Sequence, residues 1–188
     1  MIFEVGKIFS SRQYKTGQIK QGDYEECTFT GIDFSSRDLS YFKFSNCDFE
    51  DCDLSNAKIH RTAFLEIVFR NCKMMGLNFE DAHSFNIAFK FDGCNLDLCS
   101  FYQLDIRKTI FRNCSLKEVD FTEANLSSAL FDHSDLTSAV FDRTVLDHAD
   151  LQNAIGFSID PNKNQLKKTK FAKDNLAGLL QQFQIIIE

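Results

Sequence analysis

The chain has 188 residues, 44% of them apolar and 26% charged, with a formal net charge of −6. That length suits one domain with a substantial core. The negative balance argues against a surface that grips nucleic acid directly, and no run approaches the roughly 18 apolar residues a membrane span needs. There are 21 Phe, no Trp and a single Pro, so Phe is being selected by position. The N-terminal stretch MIFEVGKIFSSR lacks the pattern of a signal peptide, and the seven cysteines form no CxxC pair. A cytoplasmic, reducing setting is expected, with no disulfide framework and no zinc site.

In chain order, residues 1–21 read as an N-terminal cap, with MIFEV as a short strand and Phe9 or Tyr14 as a plug. From Tyr24 an apolar residue recurs every fifth position: Phe29, Phe34, Leu39, Phe44, Phe49, Leu54, Ile59, Phe64, Phe69, Met74 and Phe79. A second frame, shifted by two, runs without a miss from Leu96 through Phe101, Ile106, Phe111, Leu116, Phe121, Leu126, Phe131, Leu136, Phe141 and Leu146 to Leu151. Neither a helix, with period 3.6, nor a strand, with period 2, produces this spacing. Positions two before each centre are often small, and all seven cysteines fall there, which marks them as reduced interior residues. Twenty-residue spacing places Cys27 over Cys47, Cys52 over Cys72 and Cys94 over Cys114.

A five-residue unit with two inward positions cannot bury itself alone, so it must stack as a solenoid of about seven coils, roughly 30 Å long. The repeat body is expected over 22–159. Its register breaks near 80–95, where FEDAHSFNIAFKFDGCNL absorbs two residues either as a simple fault or as a contact loop carrying His83, Phe85, Lys90 or Phe91. After Ile159 the composition changes. Residues 160–188 hold five lysines, helical spacing at Leu176, Leu179, Leu180 and Phe183, and the strand-like Ile185, Ile186 and Ile187. An apolar end of this kind predicts a twofold homodimer, the alternative being a helix folded over the last coil.

Units such as ANLSS, SDLTS and ADLQN resemble the A(D/N)LXX motif of the pentapeptide-repeat family, over about residues 22–156. The resemblance implies an all-β solenoid, a right-handed quadrilateral β-helix, here with a short C-terminal α-helix and strand. Within that family the chain resembles the Qnr-type quinolone-resistance proteins, acidic rods that dimerise through a C-terminal helix and strand and bind DNA gyrase or topoisomerase IV. The enterobacterial members carry two projecting loops, whereas the first frame here runs to Phe79 without insertion.

No nucleotide, protease or hydrolase motif is present, the four histidines are scattered, and a smooth rod offers no concave pocket. We therefore expect neither enzymatic activity nor a cofactor or metal. Asp and Asn directly before a centre, among them Asp48, Asp53, Asp120, Asn125, Asp135 and Asp150, are expected to bond turn backbone. The functional expectation is a DNA mimic that binds a type II topoisomerase through Asp120, Glu123, Asp132, Asp135, Asp142, Asp147 and Asp150. The alternative is an interaction scaffold with an unrelated partner. Acids confined to one or two faces would favour mimicry, and acids on all four would favour the scaffold.

Overall fold

The computed structural model describes residues 2–14, 18–84 and 87–186. Its short strands are, in chain order, β1 (Ile2–Val5), β2 (Ile8–Ser10), β3 (Gly22–Glu25), β4 (Thr28–Thr30), β5 (Lys43–Ser45), β6 (Asp48–Glu50), β7 (Ala63–Leu65), β8 (Ile67–Arg70), β9 (Phe89–Asp92), β10 (Ile110–Arg112) and β11 (Leu130–Asp132). They form two parallel sheets, β1-β3-β5-β7 and β2-β4-β6-β8-β9-β10-β11. Each strand pairs with its equivalent one coil later, Phe29 opposite Phe49 and Phe111 opposite Phe131. The remaining two sides carry no strands and stack through single bridges such as Asp53 with Lys73 and Asp120 with Val140. Naming each side by its inward centres, side A holds Tyr24, Phe44 and Phe64, side B Phe29, Phe49 and Phe69, side C Phe34, Leu54 and Met74, and side D Leu39, Ile59 and Phe79.

The five-residue period is thus one inward residue per side of a square coil. On side B the rings of Phe9, Phe29, Phe49, Phe69, Phe91, Phe111 and Phe131 form one continuous stack, with successive centroids 4.8–5.3 Å apart. That distance is the spacing between parallel strands, so in-register pairing obliges identical residues to stack. Side D repeats the arrangement with Phe79, Phe101, Phe121 and Phe141. Burying each such ring is worth about 1.5–3 kcal/mol.

The small inward position beside each centre has a polar task as well. Cys52 donates its thiol to the Phe29 carbonyl at 3.3 Å, Cys72 to Phe49 at 3.4 Å and Cys94 to Phe69 at 3.5 Å. Thr62 and Ser134 hydroxyls donate to Leu39 and Phe111 in the same way, at 2.7 and 3.2 Å. Cys, Ser and Thr are therefore interchangeable there as small donors. All seven cysteines are free and buried.

Corners impose the other constraint. Two residues after a centre the backbone turns with φ near +50° to +64°, as at Glu26, Asn46, Asn56, Glu123, Ser128 and His133. No Val, Ile or Thr occupies a positive-φ position among the described residues. A β-branched side chain fits that conformation worst, so this is a sequence rule of the coil.

The register break lies closer to the N terminus of the suspected interval than its midpoint. Met75, Asn78 and Lys73 still belong to regular sides, with Lys73 bridged to Asn95 and Asn78 to Ser100. Across this one coil the pairing offset is 22 rather than 20, so that Phe69 faces Phe91, and the offset of 20 resumes where Phe91 faces Phe111. The second frame therefore reaches back to Phe91, and Cys72 stands beneath Cys94. The two cysteine pairs expected from twenty-residue spacing join into a single file, Cys52, Cys72, Cys94 and Cys114.

Both ends differ from the expected boundaries. Strands β1 and β2 already pair in coil register with β3 and β4, so the coil extends into the segment read as a cap. At the other end Gln165 and Lys170 still bridge to Val145 and Asp150. Beyond them the chain forms 3-10 helix over Lys173–Leu179 and Gln181–Phe183, not the expected α-helix. The reason is local: buried Gly178 lies against the Phe157 ring and accepts the Ile159 N–H at 2.9 Å. Asn175 in turn donates to the carbonyls of Leu151, Gln152 and Ala154. The segment follows the outline of the last coil instead of an independent helix axis. Ile185 and Ile186 belong to no strand, and Ile187 lies outside the described residues.

Candidate functional site

The seven acids singled out from the sequence divide by their position in the repeat. Asp120, Asp135 and Asp150 precede centres, and their carboxylates accept the backbone N–H groups of Thr122, Thr137 and Gln152 at 2.8, 3.0 and 3.1 Å. These turns recur at Asp33, Asp53 and Asn125, so the carboxylates serve the fold first. Asp48 departs from that expectation: it lies in β6 and pairs with Arg70 at 2.7 Å.

Glu123, Asp132, Asp142 and Asp147 project from other positions. Glu123 sits at a corner and is held by Gln103 and Arg143, which keep its carboxyl below the ordinary range. Asp132 accepts from Asn153 at 2.9 Å and lies beside His133 and Arg112, and its carboxyl is likewise depressed, the Asn153 bond being the largest cause. Asp142 pairs with Arg143, and Asp147 accepts the Lys167 N–H.

The seven do not converge on one face. Asp120, Glu123 and Asp142 belong to side D, Asp132 and Asp150 to side B, Asp135 to side C and Asp147 to side A. Cations interleave with them along the columns: Arg112 stands between Asp92 and Asp132 on β9, β10 and β11, and Lys117 and Lys170 reach Asp135 and Asp150 at 3.3 Å each. These exposed pairs contribute little to stability individually, but they break up the negative field. Twenty-residue spacing in the sequence already places Arg112 in one column with Asp92 and Asp132, and the same spacing relates Arg143 to Glu123 and Lys170 to Asp150.

Of the four residues assigned to a contact loop under the alternative reading of the break, two lie in a regular strand. Lys90 and Phe91 lie in β9, with Lys90 exposed and Phe91 fully buried in the ring stack. The reason is the 22-residue offset, which carries Phe91 into the column of Phe69. His83 is exposed on the connecting segment, with its N–H bonded to the Thr62 carbonyl, and Phe85 lies outside the described residues. At the C-terminal end Leu176, Phe183, Ile185 and Ile186 are exposed, Ile186 at 88%. Leu179 is partly buried against the core and Leu180 is half-buried. Among the described residues no three His, Cys, Asp or Glu gather in a way that could hold a metal ion, and no helix is long and apolar enough to cross a membrane.

Residues 27–64 and 120–155 match the family model for pentapeptide repeats, with eight copies. No curated protein sequence matches the chain. Among solved structures, a trypsin-treated variant of QnrB1, a plasmid-mediated fluoroquinolone resistance protein, superposes with a TM-score of 0.65 at 20% identity, covering 100% of this chain and 98% of that one. Full-length QnrB1 gives 0.64 at 19% identity, over 97% and 98% of the two chains. Identities this low speak to the fold alone. With its repeat units, its four-sided parallel coil and that likeness together, the chain carries pentapeptide repeats over residues 27–64 and 120–155 and folds as the β-helix that such repeats build.

Proposed function

We propose that this protein binds a type II DNA topoisomerase, gyrase or topoisomerase IV, as an acidic rod standing in for duplex DNA, and shields the enzyme from quinolones. The observation that supports this reading is the likeness of fold to QnrB1 along essentially the whole of both chains. The formal charge of −6 suits a basic DNA-binding surface through electrostatic complementarity. Side D, with Asp120, Glu123 and Asp142, offers the densest group of the seven acids and is the face we assign to the contact. A homodimer through the exposed Leu176, Phe183, Ile185 and Ile186 would double the rod. Under this reading the chain acts without catalysis and without a cofactor, in the cytoplasm where its partner works.

A second reading, an interaction scaffold for an unrelated partner, is favoured by one specific observation. The seven acids occupy all four sides, and five of them pair with Arg or Lys.

Equilibrium binding to immobilised gyrase separates the two. The topoisomerase reading predicts binding that duplex DNA competes away and that the isosteric triple variant Asp120→Asn, Glu123→Gln, Asp142→Asn weakens about tenfold or more. Absence of binding would favour the scaffold.

A further inference from the structure

The 22-residue coil leaves a notch at the corner between sides A and B. Asn46, Glu66 and Lys108 turn this corner with φ of 52°, 55° and 64°. Ala88, which stands between Glu66 and Lys108 in the same column, lacks positive φ and has almost no side chain to project. A cavity of about 460 Å³ results, reaching from Asn46 to Thr109. The rod is therefore not smooth, contrary to expectation, and the volume falls among those of small-molecule sites.

A buried donor at the notch lacks the partner that the repeat gives its equivalents. Thr62, Thr144 and Thr169 donate their hydroxyls to a centre carbonyl of the coil before, at 2.7, 2.8 and 2.8 Å. Thr109 holds the same position and is 1% exposed, yet its hydroxyl has no partner. An unpaired buried donor is costly and is most readily satisfied by an acceptor.

Charge points the same way. Arg107 is held by Asp105, and Asp48 by Arg70. Lys90 and Lys108, which form no ion pair among the described residues, then stand against the single carboxylate of Glu66. The floor is apolar, with Ile67 and Phe89 buried and Val68 half-buried.

We propose that this notch is a binding site for a small organic carboxylate. Its head lies between the ammonium groups of Lys90 and Lys108 and accepts from the Thr109 hydroxyl, and its apolar body rests on Ile67, Val68 and Phe89. The site is independent of any topoisomerase.

The test uses the full chain and three probes with the same body, octanoate, octan-1-ol and octylamine, followed by ligand-detected NMR and calorimetry. Octanoate binds with a millimolar or lower dissociation constant and at least about tenfold more tightly than the other two. The variant Lys90→Glu, Lys108→Glu reduces that affinity about tenfold or more. Thr109→Val keeps the fold, melts at a higher temperature without probe and binds octanoate more weakly. The proposal is overturned by the absence of octanoate binding up to about 10 mM, by equal binding of all three probes, or by an unchanged affinity in the lysine variant. It is overturned equally if Thr109→Val lowers the melting temperature, since the hydroxyl would then be serving the fold.

Discussion

Phe69 and Phe91 stack with ring centroids 5.3 Å apart and planes 7° from parallel, although they are separated by 22 residues and the rest of the column repeats at 20. This pair carries the interior stack across the register break. Replacing Phe91 with Ala should cost about 3–5 kcal/mol and lower the urea midpoint without changing the slope. An effect below about 1 kcal/mol would mean that the two halves of the rod are not mechanically joined there.

The cysteines should be silent while the fold is intact. Burial pushes the Cys47 thiol up to about 11 and the Cys99 thiol up to about 12. Cys72 and Cys114 are raised as well, by hydrogen bonding to neighbouring thiols and by burial. All seven are buried and out of reach of solvent, so none should react with an aromatic disulfide reagent at pH 8, and all seven should react in denaturant. Rapid labelling of even one thiol in the native protein would contradict the packed interior file.

Acid should destabilise the rod. Hydrogen bonds from Ser35 hold the Asp33 carboxyl below its ordinary 3.8, Arg107 does the same for Asp105, and Gln103 and Arg143 for Glu123. A depressed native pKa contributes stability above the unfolded value and loses it as pH falls through the native one. The melting temperature should therefore be level near neutrality and decline below about pH 4. A flat profile down to pH 2.5 would exclude these bonds as contributors.

The corner rule predicts sharp differences between chemically similar substitutions. Ser128 turns its corner at φ 61°, so Ser128→Gly should be neutral or slightly stabilising, while Ser128→Val should cost about 1–2 kcal/mol. Equal melting temperatures for the two variants would refute the backbone argument.

If the exposed C-terminal end joins two chains, their lysine-rich last coils are brought together, with Lys163, Lys167, Lys168, Lys170 and Lys173 on each. Raising salt from about 0.05 to 0.5 M should then strengthen the dimer by screening like charges. The pair Phe183→Asp, Ile186→Asp should yield monomers in light scattering. Dimers that persist in this variant would place the interface elsewhere.

The coil was legible because a centre every five residues leaves no freedom in helix or strand, and Leu126, Phe131 and Leu136 could be assigned inward from spacing alone. What spacing could not resolve was the point of slippage. The first frame was followed to Phe79 and the second only from Leu96, so the membership of Phe91 in the second went unseen. Lys90 was consequently read as loop. The C-terminal turns were misread for a different reason: Leu176, Leu179, Leu180 and Phe183 fit a 3.6-residue period, but the contact of Gly178 with Phe157 decides the winding, and no periodicity encodes it. The mixing of charge was legible in one column, where twenty-residue spacing sets Arg112 between Asp92 and Asp132, while the dispersal of the acids over four sides and the pairing of Lys117 and Arg143 appear only when all the columns are assembled.

The central claim concerns the partner, and supercoiling of relaxed plasmid by purified gyrase, with and without ciprofloxacin, tests it most directly. The account predicts that the protein at micromolar concentration restores supercoiling in the presence of the drug or inhibits it in its absence, and that the side D isosteric variant loses the effect. Unchanged supercoiling across a broad range of protein concentration, in both conditions, would contradict it.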